Sequence, residues 1–320
     1  MSADQVRAAV DQRFAGADET PAGNEFVIFS KPEVGRLSAA HTDKVWDLFA
    51  AGLGSYGVTV HRTRILTGAE LESSGVMAEH YGVINKISRS GRSALTEAAE
   101  QALADQYAAE LEAGALVLGG HQFLTEFPGF GAYSLGILFA NLSVGRLGPG
   151  TYAGAVTVDG QPVVILNGFH PRQLSFFTAD DTVCAFLHCS SGTAWESLRN
   201  DLIGTTDPAK ADAGSIRGTL FADPDGFGLA TVSSNFNGVH MSAGPLEGLV
   251  ELARFFGGSV GDYSFTAELT AAGVPSDGIA GLAENPTLET GGGRGSAFDL
   301  TEGVDAEPAA ALLAGATPAD

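Results

Sequence analysis

Apolar runs of strand length alternate with longer segments whose apolar positions recur at helical spacing. Residues 26–31 (FVIFSK) form a continuous apolar run that predicts a buried strand. After Pro32, Val45, Leu48, Phe49 and Gly52 share one stripe, predicting a helix over 42–53 with Thr42 as its N-cap. Residues 58–66 (VTVHRTRIL) alternate as a strand does, and Thr67 is placed to cap a helix over 69–81. The same grammar returns later, with a strand over 182–189, a helix over 193–202, a short strand over 238–242 and a helix over 246–256.

The intervening stretch is different. SRSGRS reads as a flexible junction, 94–113 as an Ala/Glu-rich helix, and 114–150 carries Gly and aromatics without a period. Residues 152–169 read as a hairpin turning at Asp159-Gly160. With 86–167 set aside, the order contains a βαββαβ set. That predicts an α+β fold with a ferredoxin-like core, a four-stranded antiparallel sheet with helices on one face, plus an inserted α+β subdomain. The expected division is an N-terminal segment 1–24, a domain over 25–256 interrupted by the insertion 86–167, and an extension 257–320. Stretches such as ETGGGRGSAFD make that extension look poorly packed, partly disordered or interface-forming.

Charge narrows the partners. The 38 Asp and Glu against 17 Lys and Arg give a net charge of −21, which repels nucleic acid and anionic membranes, so neither is expected. No apolar run reaches membrane-spanning length and the start carries charges throughout, which predicts a cytoplasmic protein. An anionic ligand would need a locally positive pocket or a metal ion. Cys184 and Cys189 lie five apart on one predicted strand and so face opposite sides, consistent with buried free thiols.

Three separated segments carry candidate chemistry. Lys31-Pro32-Glu33 ends the first strand, where the chain changes direction. Residues 202–218 (LIGTTDPAKADAGSIRG) form a long loop of turn formers, hydroxyls and one Arg. Asn237-Gly-Val-His240-Met-Ser242 is followed by Glu251 on the next helix. A helix folding back after Gly244-Pro245 would bring Glu251 to the imidazole; held against Nδ1, it would fix the tautomer and leave Nε2 as nucleophile.

Together these segments resemble the nucleoside diphosphate kinase family. Its Asn-x-x-His-Gly-Ser-Asp pattern is matched by Asn237-Gly-Val-His240-Met-Ser242-Ala243, and its Gly-x-Thr-Asn/Asp-Pro-Ala…Gly-Thr-Ile-Arg loop by Gly204-Thr-Thr206-Asp207-Pro208-Ala209…Gly214-Ser-Ile216-Arg217. Lys31-Pro32-Glu33 matches Lys-Pro-Asp, and His80-Tyr81 the His-Tyr pair of a lid helix. The resemblance covers roughly 24–88 and 168–256.

The resemblance implies transfer of a γ-phosphoryl group from a nucleoside triphosphate to a (di)phosphate acceptor, ping-pong, through phosphohistidine at His240. It implies that Ser242 and Glu251 orient the imidazole, that Lys31 and Arg217 meet the phosphates, and that Thr206 donates a hydroxyl to them. Tyr81 is implied beside the reacting phosphate, Asn237 on the sugar hydroxyls and Phe169 on the base, reading Gly168-Phe169-x-Pro171 against Pro-Phe-Phe-Pro. It further implies Mg²⁺ on the nucleotide phosphates, nucleoside tri- and diphosphates or a related phosphorylated metabolite as partners, and a homo-oligomer. The sequence departs from the pattern at Met241 and Ala243, and Asn200 stands where a second phosphate-binding Arg is expected, with Arg199 beside it. One residue on a helix is about 100°, so Arg199 substitutes only if the helix end shifts. The alternative is a catalytically impaired nucleotide-binding, regulatory or assembly protein on the same fold.

Overall fold

The computed structural model describes residues 2–14, 16–17 and 19–319. The protein is α+β, with several small, mostly antiparallel sheets. It forms two compact units, residues 1–68 with 180–320 and residues 69–179.

In the first unit, strands β1 (Asn24–Ser30), β2 (Thr59–Thr67), β3 (Val183–Ser191) and β4 (Val239–Met241) lie in the order β2-β3-β1-β4, every neighbour antiparallel. β1 and β3 are buried along their whole length, which is why they read as near-continuous apolar runs. Phe26, Ile28, Ala185, Leu187 and Cys189 pack with Val45, Trp46, Phe49 and Leu53 of helix α1 (Ala39–Ser55). From the other face, Phe29 and Phe186 meet Phe255 of helix α2 (Pro245–Phe256). Helices therefore cover both faces of the sheet rather than one. Cys184 and Cys189 are free and buried, and burial pushes both thiols up.

Local caps shift the expected boundaries. α1 starts three residues early because the Ser38 hydroxyl accepts from His41 N–H, leaving Thr42 buried inside the helix. The helix expected over 193–202 is α-helical only for Trp195–Ser197; Leu198–Ile203 is a π-turn, in which Gly204 N–H donates to the carbonyl of Arg199 at 3.0 Å.

Residues 257–319 are a folded part of this unit rather than a loose tail. They form helices Ser264–Ala271, Ser276–Ala283, Ala297–Thr301 and Ala306–Ala314 with a three-stranded sheet. The glycine-rich stretch is the turn between paired strands Thr287–Thr290 and Gly293–Ser296. Leu269, Ile279, Leu282, Leu288 and Leu313 are buried, so sparse apolar positions suffice for packing. Two polar anchors hold the segment to the sheet. The Asp305 carboxylate accepts from Asn24 Nδ2 (2.8 Å) and Trp195 N–H (2.6 Å). Buried Glu25 accepts from Ser264 N–H and hydroxyl, both at 2.6 Å, and from His188 Nε2.

The second unit is wider than the insertion 86–167, because the helical stretch before it folds with it. The helix expected over 69–81 breaks at Gly75 (φ 69°), giving Gly68–Ser74 and Val76–His80. That expected over 94–113 divides into Glu97–Gln106 and Ala108–Glu112. Strands Thr151–Val158 and Gln161–Leu166 form the expected hairpin, with Asp159 (φ 50°) and Gly160 (φ 84°) supplying its turn. Inside this unit the Phe123 ring meets Phe127 at a tilt and Phe130 edge-on, with centroids 4.8 and 5.2 Å away.

Candidate functional site

β4 is only three residues long and sits at the sheet edge beside β1, where Phe29 opposes His240. The Phe29 ring stacks on the imidazole with centroids 4.3 Å apart and planes 20° from parallel. After β4 the chain turns at Gly244-Pro245 into α2, returning Glu251 to the strand. A side chain at 244 would strike the carbonyl of Thr301, its Cβ 2.3 Å from that oxygen, so the turn requires glycine there.

Glu251 is fully buried and has an oxygen for each partner. Oε1 lies 2.9 Å from His240 Nε2, and Oε2 accepts the Ser242 hydroxyl at 2.5 Å. Ser242 Oγ in turn accepts from Val27 N–H at 3.0 Å. The donors run in one direction, from β1 backbone to hydroxyl to carboxylate, and the carboxylate's other oxygen accepts from Nε2–H. The lone pair of a neutral imidazole then lies on Nδ1. The sequence expectation had the two nitrogens reversed. Spacing brings Glu251 to the ring, whereas the strand's position at the sheet edge decides which nitrogen it meets.

Cations gather along the approach to β4. Lys31 backbone N–H donates to the Gly238 carbonyl, and its Nζ lies 3.4 Å from Asn235 O. Glu33 Oε1 accepts from Gly238 N–H at 2.8 Å. Arg217 reaches from a helix that opens at Ile216 to Gly204 O (2.8 Å) and Val239 O (2.9 Å), immediately before His240. Its buried Nε has no partner among the described residues. Burial, opposed by Glu33 and assisted by Arg217, brings the Lys31 ammonium down to about 8. Burial and the neighbouring Arg199 bring Arg217 down to about 10. In a chain of net charge −21, a crowded patch of three cations is the opposite of the global field.

Residues 199 and 200 both lie in the π-turn. Arg199 is close enough to Arg217 to perturb it, while Asn200 is exposed. Arg199 Nη1 donates to Glu302 Oε1 at 2.5 Å and to Ala243 O at 3.3 Å.

Asn237 Nδ2 donates to Thr206 O (3.0 Å) and Ser234 O (3.3 Å), tying the two loops together, and its Oδ1 is buried without a partner among the described residues. Thr206 itself is exposed. Met241 points into the core rather than toward the histidine's ligand side.

Tyr81 and Phe169 belong to the second unit. Tyr81 ends helix Val76–His80 and meets His170 and Phe177, with ring centroids 5.7 and 6.0 Å away. Half-buried Phe169 packs on Phe139 and Tyr152.

Sequence reasoning missed Glu247 and Glu302. Glu247 sits in the first turn of α2 and accepts from Ala243 N–H at 2.5 Å; burial and nearby Glu251 raise its carboxyl to about 8. An acid just after Gly-Pro was a readable cap signal. Glu302, 103 residues from Arg199, gave none.

No family model matches the chain.

The Lys31 environment sets a pH dependence. The ammonium loses its proton as pH rises through about 8, removing one charge from the cation cluster. ADP affinity, followed by calorimetry, is expected to fall between pH 7 and 9 by up to about tenfold. Lys31→Arg is expected to flatten that profile, since arginine stays charged throughout; an equally steep fall in the variant would remove Lys31 as its source.

Proposed function

We propose that this protein is a phosphotransferase whose nucleophile is His240. More particularly, it works in the manner of a nucleoside diphosphate kinase, taking a γ-phosphoryl group from a nucleoside triphosphate and passing it to a (di)phosphate acceptor. The observation that carries this reading is the Val27–Ser242–Glu251–His240 hydrogen-bond chain, set beside Lys31, Arg199 and Arg217. The strand order β2-β3-β1-β4, with every pair antiparallel, agrees with a ferredoxin-like core, to which the helices on the second face are an addition.

On this reading the Nδ1 lone pair attacks the γ-phosphorus and the bond to the β,γ-bridging oxygen breaks, releasing the diphosphate. Nε2–H keeps its hydrogen bond to Glu251 as positive charge grows on the ring. In the second half, a terminal phosphate oxygen of the acceptor attacks phosphorus, the P–N bond breaks and neutral His240 returns. The cations offset charge on the equatorial oxygens, which is most of what phosphoryl transfer asks of a protein. Glu251 and Glu33 are already committed to His240, Ser242 and Gly238, so Mg²⁺ enters with the nucleotide as part of the substrate. Asn237 Oδ1, buried and without a partner among the described residues, suits a ligand donor such as a sugar hydroxyl.

Incubation with γ-labelled ATP tests the reading. The intact protein is expected to take up label in an acid-labile, base-stable form and to lose it to added nucleoside diphosphates or other phosphorylated acceptors. A protein that binds ATP yet acquires no such label would leave only the alternative of a nucleotide-binding protein without turnover.

A further inference from the structure

We infer that Glu302, in the C-terminal segment, is a positioning residue for the phosphate site, acting through Arg199. The inference rests on the phosphotransferase reading for its ligand, and deepens it by placing the completion of the site in a segment outside the core domain.

The geometry has three parts. Arg199 is committed through one terminal nitrogen only: Nη1 meets Glu302 Oε1 and Ala243 O, while Nη2 and Nε have no partner among the described residues. A guanidinium held at one corner keeps its remaining N–H groups for an anion in a fixed plane. Arg199 stands in the π-turn and lies close enough to Arg217 to lower its affinity for a proton.

The backbone that carries this acid is itself fixed. Thr301, fully buried, ends helix Ala297–Thr301, and its carbonyl packs where a Cβ on Gly244 would fall. Gly303 (φ 71°) then donates its N–H to Ala243 O at 2.9 Å. The backbone of residues 301–303 is thus clamped on both sides to 243–244, directly after Ser242, which places the Glu302 side chain beside Arg199. Ala243 offers only its carbonyl there, so the side-chain acceptor comes from 103 residues away.

An exposed ion pair contributes little to stability, and this one is 28% and 47% exposed at its two side chains. Its consequence is alignment, and alignment has a distinctive sign. Deleting a negative charge beside a phosphate site tightens anion binding by simple electrostatics; deleting a positioning acid loosens it.

The test is ADP and tripolyphosphate affinity by calorimetry on the full chain, for wild type, Glu302→Ala, Glu302→Asp, Arg199→Ala and the double variant. Glu302→Ala is expected to weaken both ligands by about 3- to 10-fold, with the thermal midpoint nearly unchanged. Glu302→Asp is expected to recover part of the loss. In the Arg199→Ala background, Glu302→Ala is expected to add almost nothing, because its route of action is gone.

Unchanged or tighter binding in Glu302→Ala overturns the inference, as does an equal loss in the Arg199→Ala background. So does a lowered midpoint with affinity intact, which would leave Glu302 purely structural. The two ideas fail separately. A wild type that binds ADP but takes no phosphoryl group from ATP ends the phosphotransferase reading, while the affinity series still decides the role of Glu302. A wild type that binds neither ligand ends both.

Discussion

His240→Ala is expected to abolish acid-labile labelling from ATP, and Glu251→Gln to slow it by about 100- to 1,000-fold while leaving the protein folded. The alanine variant removes the nucleophile. Water cannot form the covalent intermediate, so residual label at another residue would remove His240 from the mechanism. The glutamine variant is the more informative. Glu251 spends one oxygen on His240 and the other on Ser242, and both partners can act as donors. A glutamine of the same shape keeps one acceptor and presents an NH₂ on the other side. If the NH₂ turns to the imidazole, Nε2 must accept, the proton moves to Nδ1 and the nucleophilic lone pair is lost. If it turns to Ser242, the imidazolium-like charge that grows during transfer loses its carboxylate. Either orientation slows the chemical step. Stopped-flow measurement at saturating ATP reads that step directly, and a Glu251→Gln rate within a factor of three of wild type would show that the carboxylate does not support the ring.

Gly35→Ala is expected to cost about 3 kcal/mol or more of stability, among the largest effects available from one methyl group. A Cβ at 35 would stand 1.8 Å from Val183 O and 2.8 Å from Val183 C, both backbone atoms at the start of β3. Strand β3 pairs with β1 and β2 and cannot withdraw without breaking both ladders. The short helix Pro32–Gly35 must move instead, and it follows directly on Lys31 and carries Glu33. Transfer activity is therefore expected to fall with stability. Gly54→Ala is the matched control, because that glycine lies within α1 with nothing within 4 Å of its added Cβ. There the change is expected to stabilise by up to about 1 kcal/mol through helix propensity. Urea unfolding of both variants checks the pair; equal midpoints would show that the backbone at 35 relaxes without cost.

Segments whose character is local were legible in the sequence. β1 and β3 appear as apolar runs, α2 as a stripe opened by Gly-Pro, and the hairpin through Asp159-Gly160, because each is dictated by periodicity or by a turn that only certain residues adopt. The separation of eleven residues between His240 and Glu251 also sufficed to bring carboxylate to imidazole, since one strand, one tight turn and two turns of helix span a fixed distance. The glycine-rich stretches of the extension misled for the opposite reason. Glycine adds no side chain to bury without preventing packing, and residues 257–319 are held by a few buried leucines with Asp305 and Glu25 as anchors.

What the sequence by itself determined, then, is the set of elements and the identity of the groups placed beside His240. Tertiary structure alone decided which imidazole nitrogen faces Glu251, that Arg199 stands close to Arg217 in the cation cluster, and that Glu302 meets Arg199 from 103 residues away. The physical reason is common to all three. Periodicity fixes the face a side chain takes on its own element, but a hydrogen bond needs its partner placed within a few tenths of an ångström, and that placement is set by how separate elements pack.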